Sequence, residues 1–189
     1  MWQADSFDTV TIARELGWAQ ALGMNTMRVY LHDLPYQQDS AGFLKRIDRF
    51  LEIAASRQIK PVLVIFDSCW DPYPKAGKQR EPKPFVHNSG WVQSPGLEML
   101  KDTSSHDLLK IYVTGLVKRF ANDGRILAWD VWNEPDNMNT SSYGNVELAE
   151  KEAYVWPLLE KTFKWVRSAN PVQPLTSGVW KGNWSADST

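Results

Sequence analysis

At 189 residues, with 43% hydrophobic and 23% charged side chains, the chain has the size and composition of one globular domain that buries most of its apolar surface. A formal net charge of −1, without a long run of like charge, gives no field for nucleic acid or anionic lipid, and no stretch of about 18 apolar residues is present to cross a membrane. The lone Cys69 excludes an internal disulfide, and no Cys/His spacing marks a zinc site, so no metal is expected. Residues 1–5 lack the basic and apolar regions of an export signal, and localisation stays open.

Thr9 to Leu22 carries Ile12, Leu16, Ala19 and Leu22 at helical spacing behind Asp8 and ends at Gly23, which predicts a helix. Thr26 to Leu31 is a short apolar run of strand length, ending in His32-Asp33. Asp39 to Arg57 places Phe43, Ile47, Phe50, Leu51 and Ala54 on one helical face, and Val62-Leu63-Val64-Ile65-Phe66 reads as a fully buried strand. From about residue 67 to 104 the periodicity disappears under repeated Pro and Gly, a loop much longer than ordinary connections and of the kind that serves a site. A third helix fits Asp107 to Ala121 and a third strand Ile126 to Trp132. Glu147 to Ala169 is helical in pattern but holds Pro157, so it either kinks there or starts afresh, and Pro174 to Trp180 reads as the last strand.

Helix and strand thus alternate four times, which predicts a single α/β domain over residues 1–189 with parallel strands joined by right-handed crossovers. Two architectures obey that order, a small open doubly wound sheet and a segment of a (β/α)8 barrel, since four strands do not close a barrel of eight. In both, the site lies at the carboxyl ends of the strands. Those ends carry Arg28, His32 and Asp33; Asp67 and Trp70; Asp130, Asn133 and Glu134; and Trp180, residue types that suit a polyhydroxylated ligand. No strand end carries a Schiff-base lysine and no Gly-rich phosphate loop follows a strand, which argues against aldolases and nucleotide enzymes. Glu134, between an apolar strand and Pro135, sits where the ionised carboxylate is disfavoured, as a general acid requires. The plainer reading makes it a helix cap or a partner of Arg28.

Trp132-Asn133-Glu134-Pro135 at the end of that strand resembles the signature of the retaining glycoside hydrolases of clan A, and family five, with its cellulases and mannanases, is the closest match. The Arg28 run with His32-Asp33, the Phe66 to Pro72 segment and the Pro174 to Trp180 segment carry the resemblance over nearly the whole chain. It implies a partial (β/α)8 TIM barrel running from the first helix through the fifth strand, and an enzyme that cleaves a β-linked oligo- or polysaccharide without a cofactor. Glu134 would be the acid/base, Asn133 would hydrogen-bond the sugar 2-hydroxyl, and Arg28 would orient the catalytic carboxylates. His32, Asp67, Trp70, Trp91 and Trp180 would line the sugar subsites, with packing as the alternative role for each. His87 reads as a solvated loop histidine.

The resemblance also implies a nucleophile, a glutamate on the seventh strand about 5 Å from the acid/base, to which no residue here maps. A four-stranded segment of a barrel exposes two sheet edges, so completion by a second copy, as a dimer of half-barrels, or by a missing C-terminal half is expected. A half-barrel that binds glycans or self-assembles without hydrolysis is the second reading. An unrelated small α/β domain is disfavoured because its usual phosphate or redox motifs are missing.

Overall fold

The computed structural model describes residues 1–140 and 142–182. Asp8 accepts from the backbone N–H groups of Val10 and Thr11 and opens α1 (Thr9–Ala21), which runs out at Leu22 and a left-handed Gly23. After β1 (Arg28–Tyr30), the His32 ring caps a short helix, α2 (Asp33–Gln38), which the periodicity did not predict because six residues are too few to show an apolar face. α3 (Ser40–Ser56), capped by Asp39, and β2 (Val62–Asp67) follow as predicted.

The long loop is not wholly irregular. It ends in α4 (Leu97–Lys101) and a 3-10 turn (Thr103–Ser105), where Leu97 and Leu100 are buried. α5 (His106–Phe120), β3 (Ala128–Asn133), α6 (Lys151–Ser168) and β4 (Leu175–Gly178) complete the order. α6 starts at Lys151 and not at Glu147, and it passes through Pro157 without restarting. The proline costs one backbone hydrogen bond, which burial of Val155, Leu158, Leu159 and Val166 offsets.

The four strands form one parallel sheet in the order β1-β2-β3-β4, so consecutive strands are neighbours throughout. β2 and β3 are central and covered on both faces; β2 reads as a continuous apolar run, whereas β3 is interrupted by the buried Asp130. Leu63, Ile65, Trp129 and Val131 join the inward residues of the helices, Phe43, Ile47, Leu109, Tyr112, Val113, Leu116 and Leu158 among them, in one core. The outer edge of β1 is unpaired among the described residues, and the Trp2 indole closes part of it by donating to the Tyr30 carbonyl at 2.7 Å. Beside that edge lies a cavity of about 530 Å³ lined largely by apolar residues, including Trp2, Ile12, Leu16, Met27 and Leu31.

One buried ion pair ties the two site-bearing loops to this frame. Lys151, at the start of α6, donates to the Ser68 carbonyl at 3.0 Å and to Glu147 at 2.6 Å, and Glu147 also accepts from the backbone of Asn139. Both side chains are almost fully buried. Lys151→Met should therefore leave Glu147 charged and unpaired, lowering unfolding stability by about 3 kcal/mol or more in urea titration. An unchanged midpoint would show that the pair holds nothing.

Candidate active site at the strand ends

β2 and β3 end in register, Asp67 beside Asn133. Asn133 Nδ2 donates to Asp67 Oδ1 at 2.8 Å, and Asn133 Oδ1 accepts from Arg28 Nη2 at 2.8 Å, so both ends of the amide are held. The same Arg28 nitrogen pairs with Asp130 Oδ2 at 2.5 Å, linking β1 to β3. Arg28 thus orients Asn133 through its amide oxygen, and its carboxylate partner is Asp130 and not Glu134. Burial pushes the Asp130 carboxyl up, against the opposing pull of Arg28.

The β3–β4 pairing shifts register between Asp130 and Asn133, a bulge that re-aims the strand end. Glu134 then takes a left-handed conformation (φ 49°), uncommon for a residue with a Cβ, and donates its N–H to the Gly178 carbonyl at 2.6 Å. Gly178 has no side chain for a reason visible here: a Cβ would lie 3.0 Å from Arg28 Nη2. Pro135 continues a turn closed by the Asn137 N–H on the Glu134 carbonyl at 3.0 Å. From this turn the Asp136 carboxylate receives the backbone N–H groups of Trp180, Lys181 and Gly182. Burial works against that carboxylate, yet the three donors hold it below the usual range. The Glu134 side chain receives Asn137 Nδ2 at 2.6 Å and the Cys69 thiol at 3.2 Å, both on Oε2.

The 67–104 loop folds back on itself through bridges between Asp67 and Ser94 and between Asp71 and Val92. This return brings Trp91 over the strand ends, where its Nε1 donates to Asp67 Oδ2 at 2.5 Å and its ring meets Tyr30 edge-on at 4.9 Å. Arg80 secures the loop, pairing with Asp71 and reaching the Ser89 carbonyl and the Tyr143 hydroxyl. A cavity of about 280 Å³ results, lined by Tyr30, Asp67, Cys69, Trp70, His87, Asn88, Trp91, Asn133 and Glu134.

Five of the residues singled out in the sequence therefore meet around one cavity: Asp67, Trp70, Trp91, Asn133 and Glu134. Arg28 stands behind Asn133, and His32 lies in the neighbouring apolar groove with both ring nitrogens engaged, by Leu34 N–H and the Gln93 carbonyl. Trp180 is 57% exposed and does not line the cavity. His87 is exposed as predicted, but its ring meets Trp70 at 5.3 Å on the cavity wall. Tyr30, Cys69 and Asn137 were not singled out. Tyr30 ends a strand and Asn137 lies three residues beyond Glu134 in a Pro-containing turn, signals that were present; Cys69 stood out only as the lone cysteine within the Phe66 to Pro72 segment, with no feature that gave it a place in the site. Among the described residues no cluster of His, Cys, Asp or Glu suits a metal ion.

Asp67 is the electrostatically unusual member. Burial pushes its carboxyl up to about 6, although Asn133, Trp91 and the Cys69 N–H all favour the ionised form. The folded chain thus holds this proton more tightly than the unfolded chain, whose carboxyl titrates near 3.8. Asp67's contribution to stability accordingly falls as pH rises from about 4 to about 6, by roughly 3 kcal/mol in all. The Trp91 indole N–H resonance should follow that proton, shifting with a midpoint near 6, and should be flat over this range in Asp67→Asn. A wild-type resonance that does not move would refute the raised value.

A parallel α/β segment with its polar site gathered at the carboxyl ends of the strands is the arrangement of barrel enzymes that act on polar substrates. The model of the cellulase family, glycosyl hydrolase family 5, matches residues 12–189, and the chain belongs to that family. Solved structures agree on the fold. An endo-1,4-beta-mannanase from Rhizomucor miehei superposes with a TM-score of 0.62 at 14% identity, over 96% of this chain and 56% of that one. The corresponding values for an endo-1,4-beta-mannanase from Eisenia fetida are 0.64, 14%, 97% and 54%. For a GH5_18 variant from Streptomyces cattleya in complex with Manb1-4GlcNAc they are 0.65, 14%, 96% and 42%. The chain therefore has the fold of a partial TIM barrel and spans about half the length of these structures. A search of curated proteins gives no match.

Proposed function

We propose that the chain carries the acid/base half of a retaining glycoside hydrolase acting on β-linked glucan- or mannan-type glycans, with Glu134 as general acid/base. The observation that carries this reading is the Asn133–Glu134 pair at the end of β3: an amide fixed at both ends beside a carboxyl group at the wall of an aromatic-lined cavity. Glu134 would donate its proton to the glycosidic oxygen as the bond from that oxygen to the anomeric carbon breaks, while a second carboxylate attacks that carbon. Glu134, now ionised, would then take a proton from the water that releases the sugar. Asn133 would meet the 2-hydroxyl, and Trp70, Trp91 and Tyr30 would offer apolar faces to the pyranose ring. Burial pushes the Tyr30 hydroxyl up to about 12, so it serves as a neutral phenol.

Among the described residues the other carboxylate lining this cavity is Asp67, and both Asp67 oxygens are occupied by Asn133, Cys69 and Trp91, which argues against Asp67 as nucleophile or base. The partner group would come from further barrel strands, in a longer polypeptide or in a second copy of this chain. The open β1 edge with its apolar groove supports such completion. That Asp67 is fully engaged also supports the alternative, in which the chain binds glycan without cleaving it.

Hydrolysis of soluble β-glucan and β-mannan should fall at least about 100-fold in Glu134→Gln. Equal rates would remove Glu134 from the mechanism, and oligosaccharide binding without turnover in the wild type would favour the alternative. Light scattering on the eluting chain should give the mass of a dimer if a second copy completes the barrel, and a stable monomer would exclude that arrangement.

A further inference from the structure

We propose that Asn137 is a positioning residue for the acid/base, holding Glu134 Oε2 so that Oε1 is the oxygen that carries the transferred proton. The inference rests on the acid/base reading of Glu134 and goes beyond it by naming the atom and its keeper. Glu134-Pro135-Asp136-Asn137 is a turn with proline at its second position, closed by the Asn137 N–H on the Glu134 carbonyl. That geometry sets residue 137 beside residue 134. Asn137 is 5% exposed, and its Nδ2 lies 2.6 Å from Glu134 Oε2 and 3.4 Å from Cys69 Sγ. Its two amide hydrogens thus serve two acceptors. The Cys69 thiol, itself buried, makes a second approach to the same oxygen at 3.2 Å.

Two donors converge on Oε2, and among the described residues none meets Oε1. A proton on Oε2 would point at the amide hydrogen of Asn137, so protonation falls on Oε1. Ionisation, by contrast, strengthens both contacts because the acceptor becomes charged. The clamp therefore fixes the rotation of a side chain that the left-handed backbone of Glu134 has already turned out of the strand, and it leaves Oε1 as the oxygen that gives up and takes back the proton.

The test is a carboxyl-carbon NMR titration of the full chain labelled at glutamate, with Glu134 identified by the resonance lost in Glu134→Gln. Asn137→Ala should move the Glu134 midpoint up by about 1 pH unit or more, the loss expected for a hydrogen bond to a charged group. Asn137→Asp, which sets a second carboxylate against the first, should move it further up. The alkaline limb of kcat/KM should move in step. An unmoved midpoint would overturn the proposal, and a downward one would as well, since it would mean that the amide oxygen faces Glu134. Should Asn137→Ala lose its fold by circular dichroism, Asn137→Ser and Cys69→Ala, each weakening the donors on Oε2, should still raise the midpoint. Hydrolysis that survives Glu134→Gln would defeat the acid/base reading alone, because the titration reports on the clamp without turnover.

Discussion

The hydrogen bond between Asn133 and Asp67 is the contact around which the site is arranged. It joins the ends of the two central strands in register and is buried from water, where a satisfied polar pair is strong and an unsatisfied one costly. Each partner then recruits the rest. Asp67 uses its remaining acceptor capacity on the Cys69 backbone and the Trp91 indole, which brings in a tryptophan 24 residues along the chain. Asn133 uses its oxygen on Arg28, which extends the network to β1 and to Asp130. A polar lattice across three strands results, and Glu134 is displayed at its margin.

The chain divides its labour along the strand axis. Below the site, Leu63 and Ile65 of β2 and Trp129 and Val131 of β3 carry the core; at the carboxyl ends of these strands nearly every side chain is polar or aromatic. Loops are where conformational specialisation is tolerated, because a rigid sheet sets their ends. The left-handed Glu134, the turn through Pro135 and the bulge opposite β4 all fall within a few residues there. Asp136 fixes the start of the segment after β4, and the buried Lys151–Glu147 pair fixes the loop that leads to α6, so the strain at Glu134 is held from both sides.

Much of the fold was legible because it rests on period. Helices α1, α3 and α5 repeat apolar residues at helical spacing over three or more turns, and β2 is an unbroken apolar run; such patterns survive without knowledge of neighbours. Elements without room for a period escaped, namely α2 and α4, and the start of α6 was misjudged because Glu147 is held by Lys151 and Asn139 and stays outside the helix. In the site, Trp132-Asn133-Glu134-Pro135 was legible as a motif because its members are adjacent. Arg28 was legible as a charge in the first strand, but it opens β1 and does not end it, and its partner was not legible, since pairing with Asp130 depends on strand spacing and side-chain reach.

The sequence by itself determined the alternation of helix and strand, the parallel sheet that follows from it, and the strand ends at which polar residues gather. These are local properties, set by side-chain periodicity and by the handedness of crossovers. Only the tertiary structure decided which atoms meet. The return of the long loop carries Trp91 onto Asp67, the bulge in β3 turns Glu134 toward Asn137 and Cys69, and Asp136 reaches the residues after β4. Those contacts join residues far apart in the chain or depend on one left-handed backbone angle, and neither distance in space nor local strain is written in residue order.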